Sequence, residues 1–388
     1  LFLSCLCMYR QLSTLSISSH LKTYSIPINS KYINSKFIPK YRLSLIKRET
    51  SVEKLCLSSL SSVNIYIKRD DQLDTYSSGN KLRKLEFIFA DILSHPKCHH
   101  IITAGSLHSN HCKAVSILAT QFQRQTHLLL RTDRDNEDEQ ILQGNPLLSY
   151  LLGAKLYLIP KKANIQRDIE PRMKQLEDEL GGKDKCYSIP IGGSDIIGIF
   201  GYLDCFIHEI VPLIDKFNLG HLIVPVSSGG TMEGLALANY FTGNRLRIHA
   251  FAVSDNQNYF KTHFNTILSQ LELENLIKLV DNDSLVDICD SYVGLGYGRM
   301  TNEQIDFLNN IISETGIIFD PVYTGKCLWG LCEELRNKRT DRFPNDGKNI
   351  LFLHTGGLLG LMNPDYSKQW LLSSNNHPNK HIRNWMTL

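Results

Sequence analysis

The chain reads as an α/β protein of mostly parallel sheets with helices on both faces. Three observations carry this reading. From Asn64 onward, short β-rich runs alternate with helical stretches, the pattern of repeated units that lay helices against a parallel sheet. Several of those runs pass at once into a turn of glycines and hydroxyl residues. With 388 residues, 42% of them hydrophobic, the chain can bury a sizeable core and is long enough for two domains.

In order, "NIYIKRDD" precedes a helix from about Leu82, with Leu82, Leu85 and Phe89 on one face. "HHIITAG" leads to a helix from about Ser109, and "THLLLRT", "KLYLIP" and "CYSIPI" follow as strand runs. A long helix through "GYLDCFIHEIV" comes next, then "HLIVPVSSGG", a helix through "MEGLALANYF", the strand "RIHAFAVSD" and finally "NILFLHTGG". Thr301 with Gln304 makes a capping-box pair ahead of Ile305, Leu308 and Ile312, which predicts a helix over residues 302–315. The charged "RTDRDNEDEQ" and the polar end "NNHPNKHIRNW" read as a solvated loop and a tail.

No run of 18 or more apolar residues occurs, so no membrane-spanning helix is expected. The net charge of +3 is unevenly spread, because residues 1–48 hold eight Lys or Arg and no Asp or Glu. From Glu49 onward 34 basic residues face 39 acidic ones, a net of −5, and a body of that sign carries no footprint for nucleic acid. The basic, Ser-rich first segment ("STLSISS") reads either as a mitochondrial or plastid transit peptide or as a disordered tail. Ten cysteines without paired spacing point to reduced thiols in cytosol or matrix. The expected location is mitochondrial or cytoplasmic.

Six loops carry candidate chemistry. In "DTYSSGNKLRKLEF" a Ser- and Gly-rich loop delivers Lys81 and passes straight into a helix. In "HLIVPVSSGGTMEGLALANYF" the turn at Ser227 to Thr231 aims backbone N–H groups and a helix N-terminus at one spot, which suits a phosphate. An ordinary βα turn is the rival there. Neither a G-x-x-x-x-G-K-[ST] nor a proper G-x-G-x-x-G occurs, which disfavours nucleoside triphosphates and dinucleotides. In "HHIITAGSLHSNHCKAVSILA", Ser109, Asn110 and His111 stand at a helix start where a carboxylate fits. Metal is the alternative for His108, His111 and Cys112, but no distant partner pair completes a zinc site. Tyr297 in "GLGYGRM", Tyr323 and Thr324 in "DPVYTGK", and "HTGG" add further glycine or hydroxyl loops, several at the C-terminal ends of strands, where open α/β sheets bind ligands. A presented amine, a phosphate cradle and neutral hydroxyls are the parts needed for pyridoxal 5′-phosphate. The lysine forms an imine with its aldehyde, and the ring stores the carbanion made when an α-proton leaves.

The segments "IKRDDQLDTYSSGNKLRKLEFIFADIL", "ITAGSLHSNHCKA", "IPIGGSDIIGIFGY", "VSSGGTMEGLA", "GYGRMTNEQI", "DPVYTGK" and "LHTGG" resemble, in this order, the D-cysteine desulfhydrase and 1-aminocyclopropane-1-carboxylate deaminase family. The resemblance runs from about Ile67 to Gly360. It implies the tryptophan synthase β-like fold of pyridoxal phosphate enzymes (fold type II), two α/β domains with the cofactor between them, and a homodimer acting on a small amino acid. It divides the chain into a leader at 1–48, a large cofactor domain at 49–84 and 197–364, a small α/β domain at 85–196 and a polar tail at 365–388. It also implies that Lys81 is the Schiff-base lysine, that Lys84 reaches toward the phosphate, and that Ser228, Gly229, Gly230 and Thr231 form the phosphate loop. Asn110 is then expected at the ring oxygen, Ser109 and His111 at the substrate carboxylate, Tyr297 and Tyr323 facing the substrate, and Thr324 beside the pyridine nitrogen. The family's usual G-G-N-K is "SSGNK" here, and its T-P before the first strand is replaced by "RETSVEKL". Neither change removes a reactive group.

The deaminase branch of that family carries Glu at the position of Thr324 and Leu at that of Thr355. A carboxylate keeps the pyridine protonated and the ring a strong electron sink, suited to opening a cyclopropane. A threonine makes the weaker sink that suffices when thiolate departs. Thr324 and Thr355 therefore point to elimination from D-cysteine, giving pyruvate, hydrogen sulfide and ammonia, with cyclopropane deamination as the alternative.

Overall fold

The computed structural model describes residues 21–26, 32–60, 63–73, 79–134, 138 and 141–371. The residues 74–78 ahead of Lys81, the Ser-rich run of the leader, half of the charged loop at 131–140 and the end "NNHPNKHIRNW" lie outside them.

The strands are β1 (Leu21–Thr23), β2 (Tyr41–Leu43), β3 (Val52–Leu55), β4 (Ile65–Lys68), β5 (His100–Ser106), β6 (Gln125–Thr132), β7 (Lys155–Pro160), β8 (Cys186–Ile189), β9 (Leu219–Val226), β10 (Arg247–Ala252), β11 (Asp287–Cys289) and β12 (Asn349–Leu353). They form a small antiparallel pair, β1 with β2, a six-stranded sheet in the order β11-β10-β9-β12-β4-β3, and a four-stranded sheet in the order β7-β6-β5-β8. In the two larger sheets only the β3–β4 pair is antiparallel. The expectation of mostly parallel sheets thus holds.

β5, β9, β10 and β12 are buried along nearly their whole length, because helices cover both faces, and such strands read as continuous apolar runs. The chain leaves β9 to β10 and β11 on one side, while β12 pairs on the other. It leaves β5 to β6 and β7 on one side, while β8 returns on the other. Each larger sheet therefore has a reversal point, beside β9 and beside β5, where loops diverge and leave a crevice.

The helix expected from Leu82 spans Asn80–Ser94. The one expected from Ser109 spans Asn110–Gln121 with Ser109 as its N-cap, the Ser109 Oγ accepting from Cys112 N–H at 3.2 Å. The helix expected over 302–315 is Asn302–Thr315, with both hydrogen bonds of the capping box formed and Gly316 closing it in the left-handed conformation. The long helix after "IPIGG" is broken into Phe200–Cys205, a wider turn at Phe206–Ile210 and Val211–Lys216. The reading missed the short strands β1, β2, β3 and β11 and the helices Asn145–Leu151, Glu170–Glu179, Ile277–Asp281, Thr324–Arg336 and Gln257–Gln270. β11 is too short to show a period, and the helix Gln257–Gln270 buries only Phe260, Phe264, Ile267 and Leu268 on one stripe.

The leader expected at 1–48 needs correction at its inner end. Leu43 is fully buried. Arg42 donates through Nε to Glu86 Oε2 at 2.9 Å and pairs with Asp204, and Leu45 and Ile46 N–H groups each donate to Glu86 Oε1 at 2.8 Å. Residues 41–46 are thus strapped to the Asn80–Ser94 helix, because the basic charge that resembles a targeting signal here neutralises buried carboxylates. The helix Pro364–Leu371 likewise extends the folded part into the stretch expected to be tail. Among the described residues no helix is long and apolar enough to cross a membrane.

Candidate active site

One cavity of about 1460 Å³ opens between the loops that follow β5, β8, β9 and β12. Both reversal points feed it. Lys81, Ser109, Asn110, His111 and Ser228 line it, as do Gly229, Thr231, Tyr297, Tyr323 and Thr355. Three expected site residues, Lys84, Gly230 and Thr324, lie behind its wall.

Lys81 stands in the first turn of the Asn80–Ser94 helix, whose start is fixed from two sides. Asn80 N–H donates to Thr355 O at 3.1 Å, and Asn80 Nδ2 donates to Thr231 Oγ1 at 3.3 Å. A short chain of contacts thereby joins the lysine to the cradle after β9. Burial lowers Lys81 to about 8, with Asp320 opposing the shift, so a usable share of neutral amine exists near neutral pH.

Arg83, two residues on, anchors this helix. Its Nε and Nη2 donate to Asp70 at 2.8 and 2.9 Å, and its Nη1 and Nη2 donate to Glu209 at 2.6 and 2.9 Å. Tyr202 Oη donates to Asp70 Oδ2 at 2.7 Å.

The anion cradle is held by residues the sequence did not single out. Ser194 Oγ accepts from Lys84 Nζ at 3.1 Å and from Gly230 N–H at 3.1 Å, and donates to Ser228 Oγ at 2.9 Å. The Gly230 N–H is therefore spent inside the protein, while the Ser228 proton is left for the cavity. Lys84 also donates to Gly192 O at 3.1 Å. Burial, with Lys81 adding, pushes its amine well below the usual value. Lys84 thus braces the loop from behind and does not enter the cavity.

Gly229 has φ +93°, and a Cβ there would come within 2.4 Å of Glu233 Oε1, so backbone alone fits. Glu233 is fully buried and accepts from His263 Nδ1 at 2.6 Å. Against burial, which opposes charge, Glu233 holds His263 above its usual value.

On the opposite wall, Ser109 retains a hydroxyl proton while its oxygen caps the helix. Gly105 is required there, since a Cβ would sit 2.7 Å from Ser109 Oγ. Thr103 donates its proton to Ile189 O at 2.8 Å, so at the 3.0 Å contact with His111 Nε2 it must accept. His111 therefore carries its proton on Nε2. Burial, with Lys81 and Lys84 adding, holds it well below its usual pKa and neutral. Its Nδ1, buried without a partner, only accepts. The His111 side chain, expected at the substrate carboxylate, thus turns no proton toward the cavity; the backbone N–H groups of this turn, the Ser109 hydroxyl and the Asn110 amide have protons to give.

Tyr297 and Tyr323 meet hydroxyl to hydroxyl at 2.5 Å, and Ser106 Oγ stands 3.4 Å from Tyr297. Burial raises both phenols, Tyr323 the further, so both are proton carriers at neutral pH. Thr324 is fully buried. Its hydroxyl donates to Asp320 Oδ1 at 2.7 Å and accepts from Asp320 N–H at 3.0 Å, leaving no proton for a ring nitrogen. Asp320 also accepts from the N–H groups of Val322, Tyr323 and Thr324 at 2.8 to 2.9 Å. Asp320 was inside a quoted motif and Ser194 inside another, but motif membership alone does not tell a capping residue from a reacting one. Among the described residues no group of three or more His, Cys, Asp or Glu comes together as a metal site.

The family described as pyridoxal-phosphate dependent enzymes matches residues 43–356. A mitochondrial bifunctional D-cysteine desulfhydrase/1-aminocyclopropane-1-carboxylate deaminase of Arabidopsis thaliana is 34% identical over 88% of this chain and 83% of its own length. A D-cysteine desulfhydrase of Serratia proteamaculans is 32% identical over 81% of this chain and 93% of its own. A crystal structure of an ACC deaminase homologue superposes with a TM-score of 0.69 at 30% identity, covering 85% of this chain and 95% of that one. The residues present fit pyridoxal phosphate: a partly buried amine with a lowered pKa, and a glycine-lined cradle at a helix N-terminus where a Cβ does not fit, share one cavity.

Proposed function

Since the chain belongs to the pyridoxal-phosphate dependent enzymes, within the D-cysteine desulfhydrase and 1-aminocyclopropane-1-carboxylate deaminase family, we propose that it eliminates sulfide from D-cysteine, yielding pyruvate, hydrogen sulfide and ammonia. The observation that carries the reading is the partly buried Lys81 amine opening onto the same cavity as the Tyr297–Tyr323 hydroxyl pair. One base and one proton donor are what removal of an α-proton and departure of a β-thiolate require. The bound cofactor supplies the electron sink for the α-carbon.

In this scheme Lys81 is the covalent anchor and, once released, the base that takes the α-proton. Ser228, the Gly229 N–H and the Thr231 backbone receive the phosphate, with Lys84 holding the loop through Ser194. Ser109 and the N–H groups of the turn after it receive the substrate carboxylate, and Thr355 closes the floor beside Asn80. The tyrosine pair delivers a proton to the leaving sulfur. No carboxylate from the Asp320–Thr324 corner lines the cavity, which favours thiolate elimination over cyclopropane opening.

We further propose that the enzyme works as a homodimer in mitochondria or cytosol. Leu147, Tyr150 and Leu151 on the Asn145–Leu151 helix and Met362 in the neighbouring turn are large apolar side chains left exposed, a patch of the kind a second copy covers.

Lys81→Ala is expected to abolish both the visible absorbance of the reconstituted protein and sulfide release; either one persisting sinks the assignment. Assaying D-cysteine, L-cysteine and 1-aminocyclopropane-1-carboxylate side by side settles the branch. Sulfide and pyruvate from D-cysteine alone support the reading, whereas 2-oxobutanoate from the cyclopropane substrate as the main product overturns it.

A further inference from the structure

We infer that Asn145 is a positioning residue that locks the Asn110 side chain with its amide NH₂, and not its carbonyl, facing the cavity. The inference rests on the proposed function and on the placement of Asn110 beside the cofactor's ring oxygen that the family resemblance implies, and adds the device that sets which atom it presents.

One acceptor in the cluster cannot turn round. The His108 backbone carbonyl only accepts, and Asn145 Nδ2 lies 2.9 Å from it, so the NH₂ end of Asn145 must face it. The second proton of the same nitrogen points at the Asn110 side chain, also at 2.9 Å. The atom receiving it must be the acceptor Oδ1. Turning Asn110 over would set NH₂ against NH₂, and turning Asn145 over would set its carbonyl against two others.

Asn110 Nδ2 has no protein partner among the described residues, and the residue lines the cavity. Its two protons are therefore free for a ligand. Asn145 does not line the cavity and is 2% exposed. Its seat is tight: Gly144 before it has φ +65°, and a Cβ there would come within 3.2 Å of Met362 O. Because His108 belongs to the turn that carries Asn110, the lock is referenced to the loop it controls.

A fixed donor at the ring oxygen favours the ionised form of that oxygen. A carbonyl in the same place would repel it. The choice is visible in the spectrum of the lysine-bound cofactor, as the ratio of its long-wavelength to its short-wavelength band.

Four variants of the reconstituted holoenzyme test this: Asn110→Ala, Asn145→Ala, Asn145→Asp and the double Asn110→Ala/Asn145→Asp. Asn110→Ala is expected to lower the band ratio by roughly fivefold, the size of one net hydrogen bond. Asn145→Asp is expected to lower it at least as far, because its carboxylate draws the Asn110 NH₂ away from the cavity. Asn145→Ala, which frees the amide without reversing it, should fall between wild type and Asp. The double variant should match Asn110→Ala, since Asn145 acts through Asn110. Cofactor titration of the apoproteins, followed by quenching of intrinsic fluorescence, should rank the variants in the same order.

An unchanged ratio in Asn110→Ala overturns the placement of Asn110 at the ring oxygen, and the inference with it. A changed ratio there, with both Asn145 variants at the wild-type value, overturns the lock alone. A double variant lower than Asn110→Ala also overturns it, because Asn145 would then act by another route. Should Asn145→Asp fail to fold, Asn145→Ala and the Asn110→Ala/Asn145→Ala pair carry the same comparison.

Discussion

Replacing Asp320 with Asn separates two jobs of one buried carboxylate. Asp320 is 1% exposed. Its Oδ2 accepts from the N–H groups of Val322 and Tyr323 at 2.9 Å each, and its Oδ1 accepts from the Thr324 N–H at 2.8 Å and the Thr324 hydroxyl at 2.7 Å. An amide keeps one acceptor oxygen and turns an NH₂ toward the other two donors. Two hydrogen bonds to a charged acceptor are lost, at about 1.5–3 kcal/mol each, or about 3–6 kcal/mol in all. The second effect is on the reactive amine. Burial lowers Lys81 to about 8 while Asp320 opposes it, so removing the charge lowers Lys81 further. Capture of the cofactor aldehyde requires the neutral amine, of which about one tenth is present at pH 7 for a pKa of about 8. The capture rate therefore rises with pH through the lysine's titration, and in Asp320→Asn that rise is expected at lower pH. Urea unfolding followed by circular dichroism measures the first effect. Stopped-flow growth of the visible imine absorbance, on mixing apoprotein with pyridoxal phosphate across this pH range, measures the second. A capture midpoint that moves upward, or stability unchanged within about 0.5 kcal/mol, refutes the reasoning.

Arg83→Met is expected to cost about 3–5 kcal/mol at neutral pH, because Asp70, fully buried, and Glu209 lose four hydrogen bonds to one guanidinium. Burial would raise Asp70, but Arg83 and Lys68 outweigh it and hold the carboxyl at about 2, against 3.8 when unperturbed. A lowered folded value means that this stability is present above 3.8 and lost as pH falls toward 2. The deficit of the variant should therefore shrink over that window, and a deficit that grows there contradicts the network. Gly105→Ala places a Cβ 2.7 Å from Ser109 Oγ and is expected to raise KM for the amino acid while leaving the visible absorbance intact, since Lys81 is untouched; steady-state kinetics beside a spectrum checks both. Arg42→Ala leaves Glu86 and Asp204 without their cation and should lower the urea midpoint by about 1–3 kcal/mol of stability; an unchanged midpoint means that residues 41–46 are not part of the folded unit.

Much of this was legible along the chain because it is local. Strands buried on both faces are continuous apolar runs, the start of the Asn302–Thr315 helix is written in Thr301 and Gln304, and Lys81, the Ser227–Thr231 turn and Tyr323 stand in or just after loops whose residue types fit a phosphate ester of an aldehyde. Tertiary structure decided what depends on partners distant in sequence. Lys84, Gly230 and Thr324 carry the right chemistry but are turned away, because Gly192, Ser194 and Asp320 already take their protons. The tautomer of His111 is set by Thr103 through Ile189, and the Arg42 cation that read as part of a leader neutralises Glu86 and Asp204. A sequence names the groups that can donate or accept. Which of them still has a proton or a lone pair to offer is settled only when folding has paired the rest, since a buried polar group left unpaired is too costly to keep.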